Sequence, residues 1–239
     1  MDIKALFPNM SLIWTRWSAY DIVRWTDMGV EKEYIVPARG AEQITFDCTE
    51  RTEAIVEDAI RMGACIFKGV PPVLMDSLYV GFAVSFGLLG QMVGTEPPLT
   101  ADHNNMAPIY YPINSKQYGE EVSYFHNLFF KIYKHYASTC GYLPADSQTT
   151  PGPYGTLSYR VTPGQTPQII WGVNSLEDVL QLSYSLMITS ERPVLKICKN
   201  CGKTYYSDHP KSEFCEAKCR NQYNVRMFRE REKSTLETE

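Results

Sequence analysis

Four closely spaced cysteines near the end of the 239-residue chain constrain its folding more than any other feature. They lie in the string CKNCGKTYYSDHPKSEFCEAKC, which reads as C-x2-C, thirteen intervening residues and C-x3-C. The candidate metal ligands are Cys198, Cys201, Cys215 and Cys219. Two cysteine pairs joined by a short hairpin supply the four thiolates that Zn²⁺ binds at tetrahedral corners. The spacing therefore predicts one structural zinc ion, because four protein ligands leave no position for a catalytic water.

Two other interpretations of these cysteines are weaker. Buried cysteines can act as small hydrophobic residues, but Lys199, Asn200 and Lys203 surround the first pair with polar side chains. His209 is a competing ligand, although an Asp-His-Pro turn at the hairpin tip explains it equally well. The remaining cysteines are scattered and odd in number, which argues against a disulfide scaffold: Cys48, Cys65 and Cys140. Thiolates that must stay reduced to hold a metal favour a cytoplasmic location.

Charge is divided unevenly along the chain, whose formal net charge is −4. Residues 1–193 contain 13 Lys and Arg against 20 Asp and Glu, whereas residues 194–233 contain 10 against 5. An acidic body followed by a basic appendage predicts two domains, with residues 234–239 as a disordered tail. So small an appendage buries too little apolar surface to fold alone. Metal binding, worth about 10–16 kcal/mol in comparable peptides, is expected to hold it together.

No segment of the sequence predicts export, a membrane span or a catalytic centre. The N-terminus MDIKALFPNM lacks a basic region followed by an apolar stretch, and the most apolar run, residues 78–90, is too short to cross a bilayer. His126 and His135 are nine residues apart on a predicted helix and cannot share a metal ion there. We therefore expect a protein that is not an enzyme. The alternative is an enzyme whose site lies in a loop over residues 94–117.

The body is predicted to be α+β, mostly helical with one short hairpin, ahead of a small treble-clef-like or zinc-ribbon finger. Periodicity predicts helices over residues 52–62, 73–89 and 120–139 and from 175 to just before 193, a strand over 64–70, a hairpin of 155–161 with 167–172, and loops over 94–117 and 143–153. Ser175 and Asp178 have the spacing of a helix cap. Residues 1–47 contain three tryptophans but no clear period.

The tail RNQYNVRMFREREK is predicted to form a helix with one basic face. At about 100° per residue, four of its cations fall within an arc of about 80°. Ala217, Val225 and Phe228 lie on the adjoining side and are expected to pack on the zinc hairpin. The candidate nucleic-acid contacts are Lys218, Arg220, Asn221, Arg226, Arg229 and Lys233. Such a face can follow phosphates while the asparagine reaches a base edge or a phosphate. Contact with another protein and a merely solvated helix are the alternatives.

Residues from about 195 to 231 resemble the CGNR-type zinc-finger family. The matching pieces are CKNCGKTYY, SEFCEAKC and RNQYNVRMFRER, and the namesake tetrapeptide reads Cys-Arg-Asn-Gln at residues 219–222. Its Gly and Arg are thus replaced, while the cysteines and Asn221 carry over. The resemblance implies a finger that binds DNA behind an N-terminal domain that senses a ligand or a stress, as in a transcriptional regulator.

The alternative function is a protein-interaction protein with a purely structural zinc finger. DNA is the expected partner of the finger. RNA as the nucleic acid, an unidentified small-molecule ligand for the body, and self-association into a homo-oligomer are left open.

Overall fold

The computed structural model describes residues 7, 10, 13–27, 29–90, 118–143, 155–164, 166–173, 175–189, 195–207, 209 and 211–236. The predicted loop over residues 94–117 lies outside these residues, as does most of the one predicted over 143–153. The chain divides into two compact units, residues 1–185 and 186–239, and the division falls inside its fourth helix. The domain boundary predicted between residues 193 and 194 stays a prediction.

The first unit begins with strands that sequence periodicity did not reveal. They are β1 (Ile13–Trp17), β2 (Tyr20–Asp27), β3 (Val30–Pro37) and β4 (Gln43–Asp47). β1 pairs with β4, while β2, β3 and the two-residue strand β5 (Glu120–Glu121) form an antiparallel sheet with β3 in the centre. Tyr34 and Ile35 are neighbours in β3, yet both are buried. Both faces of the sheet are covered at that point, so the alternation expected of a half-exposed strand is absent.

In the described part of the chain, a short 3-10 helix (Cys48–Arg51) and four α-helices follow these strands, and the last α-helix continues into the second unit. The α-helices are α1 (Thr52–Phe67), α2 (Pro72–Phe86), α3 (Val122–Thr139) and α4 (Leu176–Thr189). α1 continues five residues beyond its predicted end, so the strand predicted over residues 64–70 is wrong. Its apolar run is the last helical turn, which closes where the Gly69 amide donates to the Ile66 carbonyl and Gly69 takes a positive φ of 71°.

The core of this unit lies between α1, α2 and α3. An aromatic cluster with ring-centroid separations of 4.9–6.3 Å joins α2 to α3. Its members are Tyr79, Phe82, Phe86, Phe125 and Phe129. α1 approaches α3 so closely at Gly63 that a Cβ there would overlap the carbonyl oxygen of Phe129. α3 buries a stripe of apolar side chains at helical spacing: Phe125, Leu128, Phe129, Ile132 and Tyr136.

A buried carboxylate anchors the start of β5. Glu120 is fully buried and accepts hydrogen bonds from the backbone amides of Leu89 (2.6 Å) and Gly90 (2.5 Å) and from the Tyr118 hydroxyl (2.6 Å). Its backbone lies opposite Ile35 in the three-stranded sheet. One side chain therefore ties the residues that follow α2 to the residues that precede α3.

The predicted hairpin and helix cap before the finger are both confirmed. β6 (Ser158–Thr162) and β7 (Gln168–Gly172) pair antiparallel, with the Pro163-Gly164 turn between them. At the start of α4, the Asp178 amide donates to the Ser175 hydroxyl at 3.0 Å, and that hydroxyl donates to the Asp178 carboxylate at 2.8 Å. This reciprocal pair satisfies one amide that the first helical turn would otherwise leave without an acceptor.

The second unit contains a short hairpin followed by a long helix. β8 (Leu195–Ile197) pairs antiparallel with β9 (Thr204–Tyr206), and α5 (Ala217–Leu236) follows. The predicted α+β class with a small C-terminal finger is thereby confirmed. α5 includes residues 234–236, which the sequence had assigned to a disordered tail, and residues 237–239 lie outside the described part. Within the described residues, no helix combines the length and the apolarity needed to cross a membrane.

Candidate metal centre

The four cysteines are delivered by two local structures, a tight turn and a helix start. Cys198 directly follows β8, and Cys201 lies in the turn that leads to β9. Cys215 lies two residues before α5, and Cys219 is in its first turn. This arrangement of a hairpin knuckle facing a helix N-terminus is the one predicted for a treble-clef-like finger.

Backbone hydrogen bonds shape the knuckle around the first cysteine pair. The Cys198 amide donates to the Lys203 carbonyl and the Gly202 amide donates to the Cys198 carbonyl, both at 2.9 Å. Gly202 has a φ of 69°, in the left-handed region that residues with a Cβ disfavour. The glycine therefore permits the reversal that brings the sulfur of Cys201 back toward that of Cys198.

The four sulfur atoms lie within 4.8 Å of one another, close enough to serve as ligands of one metal ion. The Sγ atoms of Cys201 and Cys215 are 3.7 Å apart, and those of Cys215 and Cys219 are 3.5 Å apart. A disulfide needs about 2.05 Å, so these are free thiols. Tetrahedral coordination at a metal–sulfur distance of about 2.3 Å separates sulfurs by about 3.8 Å. The donor set thus fits one metal ion bound by four thiolates, with sulfur shifts of about 1 Å at most.

Electrostatics at the site favour one thiolate strongly over the others. Burial raises the pKa of the Cys198 thiol, but backbone hydrogen bonds from Cys201, Cys215 and Asn200 outweigh it and lower that pKa to about 6. Burial and the neighbouring thiols raise the pKa of Cys215. Like charges this close repel, which opposes ionisation of Cys215 beside the Cys198 thiolate. A divalent cation removes this opposition, because it stabilises every thiolate that it binds.

Side-chain contacts brace the knuckle against the helix. The Lys199 ammonium pairs with the Glu213 carboxylate at 2.5 Å, and the Lys199 amide donates to the Glu213 carbonyl at 3.0 Å. The Asn200 side-chain amide donates to the Gln222 side chain at 3.0 Å. These bracing residues were missed from the sequence, because nothing in their local pattern shows a partner 14 or 22 residues away.

His209 does not join the cysteine cluster, whose members among the described residues are the four cysteines. It lies between β9 and α5, and its backbone carbonyl accepts a hydrogen bond from the Lys196 ammonium. It therefore lies beyond the hairpin and not at its tip, where the Asp-His-Pro turn was expected, and Asp208 and Pro210 of that turn lie outside the described residues.

The predicted nucleic-acid contacts lie on α5, beginning beside the metal ligand Cys219. Five of them have exposed side chains: Lys218, Arg220, Asn221, Arg226 and Arg229. Lys233 belongs to the same helix, but its side chain lies outside the described part. The Arg226 guanidinium lies over the Tyr223 ring, 5.3 Å from its centroid, and that ring contacts Phe214 beside the cysteines. Packing around the metal centre thus helps to orient one of the cations.

The predicted packing of Ala217, Val225 and Phe228 on the zinc hairpin is wrong. All three are exposed, Val225 at 50% and Phe228 at 62%. The inner surface of α5 is instead built from Cys219 and Tyr223, which lie beside the hairpin residues and Phe214. Hydrophobicity alone does not show which side of α5 faces inward, because the metal ligand Cys219 determines that side.

The remaining candidates in the body have structural partners. The Nδ1 atom of His126 lies 3.1 Å from the Tyr79 hydroxyl, and that of His135 lies 2.7 Å from the Tyr184 hydroxyl. Burial lowers the pKa of His135. The loop offered as an alternative enzyme site lies outside the described residues. No protein-family model matches the chain, and searches of curated proteins and of solved structures found no significant match.

Proposed function

We propose that this protein is a nucleic-acid-binding regulator whose C-terminal finger is folded by one structural Zn²⁺. Thiolates are soft ligands, and a four-thiolate tetrahedron suits zinc better than the oxygen-preferring Mg²⁺ or Ca²⁺. One observation carries the proposal. The sulfurs that would bind the ion belong to the knuckle and to the first turn of α5, the helix whose exposed surface bears the candidate contacts. Loading the metal therefore orders the helix that meets the nucleic acid.

Charge and exposure support the choice of an anionic partner. Residues 194–233 carry five more basic than acidic side chains, although the whole chain is acidic. Lys218 and Arg229 project from the same side of α5 into solvent, where they can neutralise phosphates. Asn221, one helical turn after Ala217, can donate to a base edge or to a phosphate.

The body, in this proposal, senses a ligand or pairs subunits, as in transcriptional regulators of the stress-response type. Support for this part comes from the resemblance of residues 195–231 to the CGNR-type fingers. DNA is the proposed target, with RNA tested beside it. No catalytic step is assigned to the body.

A titration of nucleic-acid binding at two salt concentrations tests the function. The zinc-loaded chain should bind duplex DNA with an affinity that falls as salt rises, because binding releases counterions. An Arg226→Ala/Arg229→Ala variant should bind all sequences more weakly and flatten the log–log salt dependence by about 2, one unit per lost phosphate contact. Fluorescence anisotropy with labelled DNA and RNA measures both quantities.

The matched control removes two cations from the body. Arg39 and Lys68 are exposed there, so Arg39→Ala/Lys68→Ala makes the same change in net charge and should leave the salt slope intact. If the zinc-loaded chain binds neither DNA nor RNA at low salt, or if both variants change the slope equally, the nucleic-acid function fails.

A second candidate function rests on the exposed apolar side chains of α5. Val225 and Phe228 lie one turn apart on an otherwise polar helix, which suits contact with another protein. In that case, Phe228→Ser should abolish binding of the protein partner, while the arginine variant should leave that binding largely unchanged. The anisotropy titration separates the two functions, since only the first requires nucleic-acid affinity.

A further inference from the structure

The four cysteines of the metal centre differ in their access to solvent. Cys198 and Cys219 are buried, with 1% and 5% of their surface exposed, whereas Cys215 is partly buried and Cys201 is exposed. Cys201 lies in the turn between β8 and β9. Buried structural cysteines are inert toward dissolved reagents, while accessible thiolates react with them. A reagent in solution therefore reaches this centre first at Cys201.

A second sulfur lies close to that of Cys201. The Sγ atom of Cys215 is 3.7 Å away and belongs to a different local structure, the segment that leads into α5. Of the three cysteines that share the cluster with Cys201, Cys215 is the one that is not buried. Cysteines that respond to oxidants combine an accessible thiolate with a second cysteine close enough to form a disulfide. Cys201 and Cys215 meet both conditions, since a bound divalent metal keeps its thiol ligands deprotonated.

We propose that the metal centre is a peroxide-sensitive switch, in which Cys201 and Cys215 form a disulfide and the finger loses its metal. The Cys201 thiolate attacks one oxygen of hydrogen peroxide, the O–O bond breaks and hydroxide leaves, which gives a sulfenic acid. The Cys215 thiolate then attacks the Cys201 sulfur, the S–O bond breaks and a second hydroxide leaves. The two sulfurs together lose two electrons and the peroxide gains two, while two protons from solvent convert the hydroxides to water.

The disulfide removes two of the four metal ligands. Cys198 and Cys219 remain, whereas a structural zinc site needs four protein ligands. Without the metal, β8, β9 and α5 lose the interaction that holds them together, and the candidate nucleic-acid contacts on α5 lose their support. The loss of zinc and of nucleic-acid affinity rests on the proposed function, while the choice of the two cysteines rests on their exposure and separation. A thiol reductant reverses the switch, because a disulfide is a reversible oxidation product.

Hydrogen peroxide added to the zinc-loaded full chain, with no reductant present, tests the proposal. A dye that binds free zinc should report the release of one ion per chain. Peptide mapping by mass spectrometry under non-reducing conditions should find Cys201 joined to Cys215. Dithiothreitol with added zinc should reverse both changes. The zinc content is measured before oxidation, because a chain without zinc contradicts the proposed function, while the mapped disulfide still decides the choice of cysteines.

Cys140 supplies the control, because it is exposed but lies outside the cluster. Cys140→Ser should release zinc and form the same disulfide as the wild type, and a variant that keeps its zinc would overturn the proposal. Zinc that stays bound while peroxide oxidises Cys140 of the wild type overturns it too. So does a disulfide between any other two cysteines, or oxidation of Cys201 to the sulfinic acid without a disulfide. Neither readout depends on nucleic acid, so a failure of the anisotropy titration is distinguishable from a failure of the switch.

Discussion

At the scale of single residues, Glu120 joins segments of the first unit that are distant in sequence. It is fully buried and receives two backbone amides and one hydroxyl, all within 2.6 Å. A buried carboxylate is costly unless its oxygens are hydrogen-bonded, and charge-assisted bonds of this kind are about twice as strong as neutral ones. The sequence placed this residue at the start of a helix and could not reveal its role, because two of its partners lie about thirty residues earlier.

Glu120→Gln should destabilise the body by about 2–3 kcal/mol, since the amide keeps the shape but turns an NH₂ group toward donors. Urea unfolding at neutral pH, followed by circular dichroism, measures the change. Glu33→Gln is the control, because Glu33 is a partly exposed partner of Arg24 and its loss should cost less than about 0.5 kcal/mol. Equal effects of the two substitutions would contradict the buried role of Glu120.

At the scale of elements, the sequence located the helices well, but not all of their ends or close contacts. Most of α3 and the cap of α4 were predicted because both signals are local. The end of α1 was not, since an apolar run reads alike as a strand or as a last helical turn. Glycines were equally ambiguous. Both Gly63 of α1 and Gly81 of α2 lie within apolar helical sequence, yet Gly63 packs tightly against α3 and the surroundings of Gly81 are open.

Two matched substitutions test this contrast between α1 and α2. Gly63→Ala should destabilise the body by about 2–3 kcal/mol, because the new Cβ would overlap the Phe129 carbonyl and force α1 away from α3. Gly81→Ala adds the same methyl group where nothing lies within 4 Å, and should stabilise the body by about 0.5–1 kcal/mol. Thermal unfolding tests both predictions: the melting temperature should fall for Gly63→Ala and rise for Gly81→Ala.

At the scale of the whole molecule, the two units should differ in what stabilises them. The first has an aromatic core and its own sheets, whereas the second has a two-stranded hairpin and one long helix around four cysteines. The cysteine cluster was predictable because metal ligands are closely spaced in sequence. The strands of residues 13–47 and the anchoring Glu120 depend on pairings between distant segments, which one sequence does not display.

A strong chelator should unfold residues 195–233 and leave the body folded, because metal binding of about 10–16 kcal/mol replaces a hydrophobic core in such fingers. Hydrogen exchange read by mass spectrometry should show lost protection in β8, β9 and α5 but not in α1 or α3. Cys215→Ser should reproduce the effect without a chelator, while Cys140→Ser, at an exposed cysteine outside the cluster, should not. Protection of α5 that survives metal removal would contradict this division.

The clamp made by Glu120 also provides a local reporter of the body. Its carboxylate accepts the amides of Leu89 and Gly90, so these two amides sense whether the segment after α2 stays attached to the segment before α3. Both amides should exchange with solvent more slowly than exposed amides that have no such acceptor. Their exchange rates therefore offer a way to watch this single attachment open without unfolding the protein.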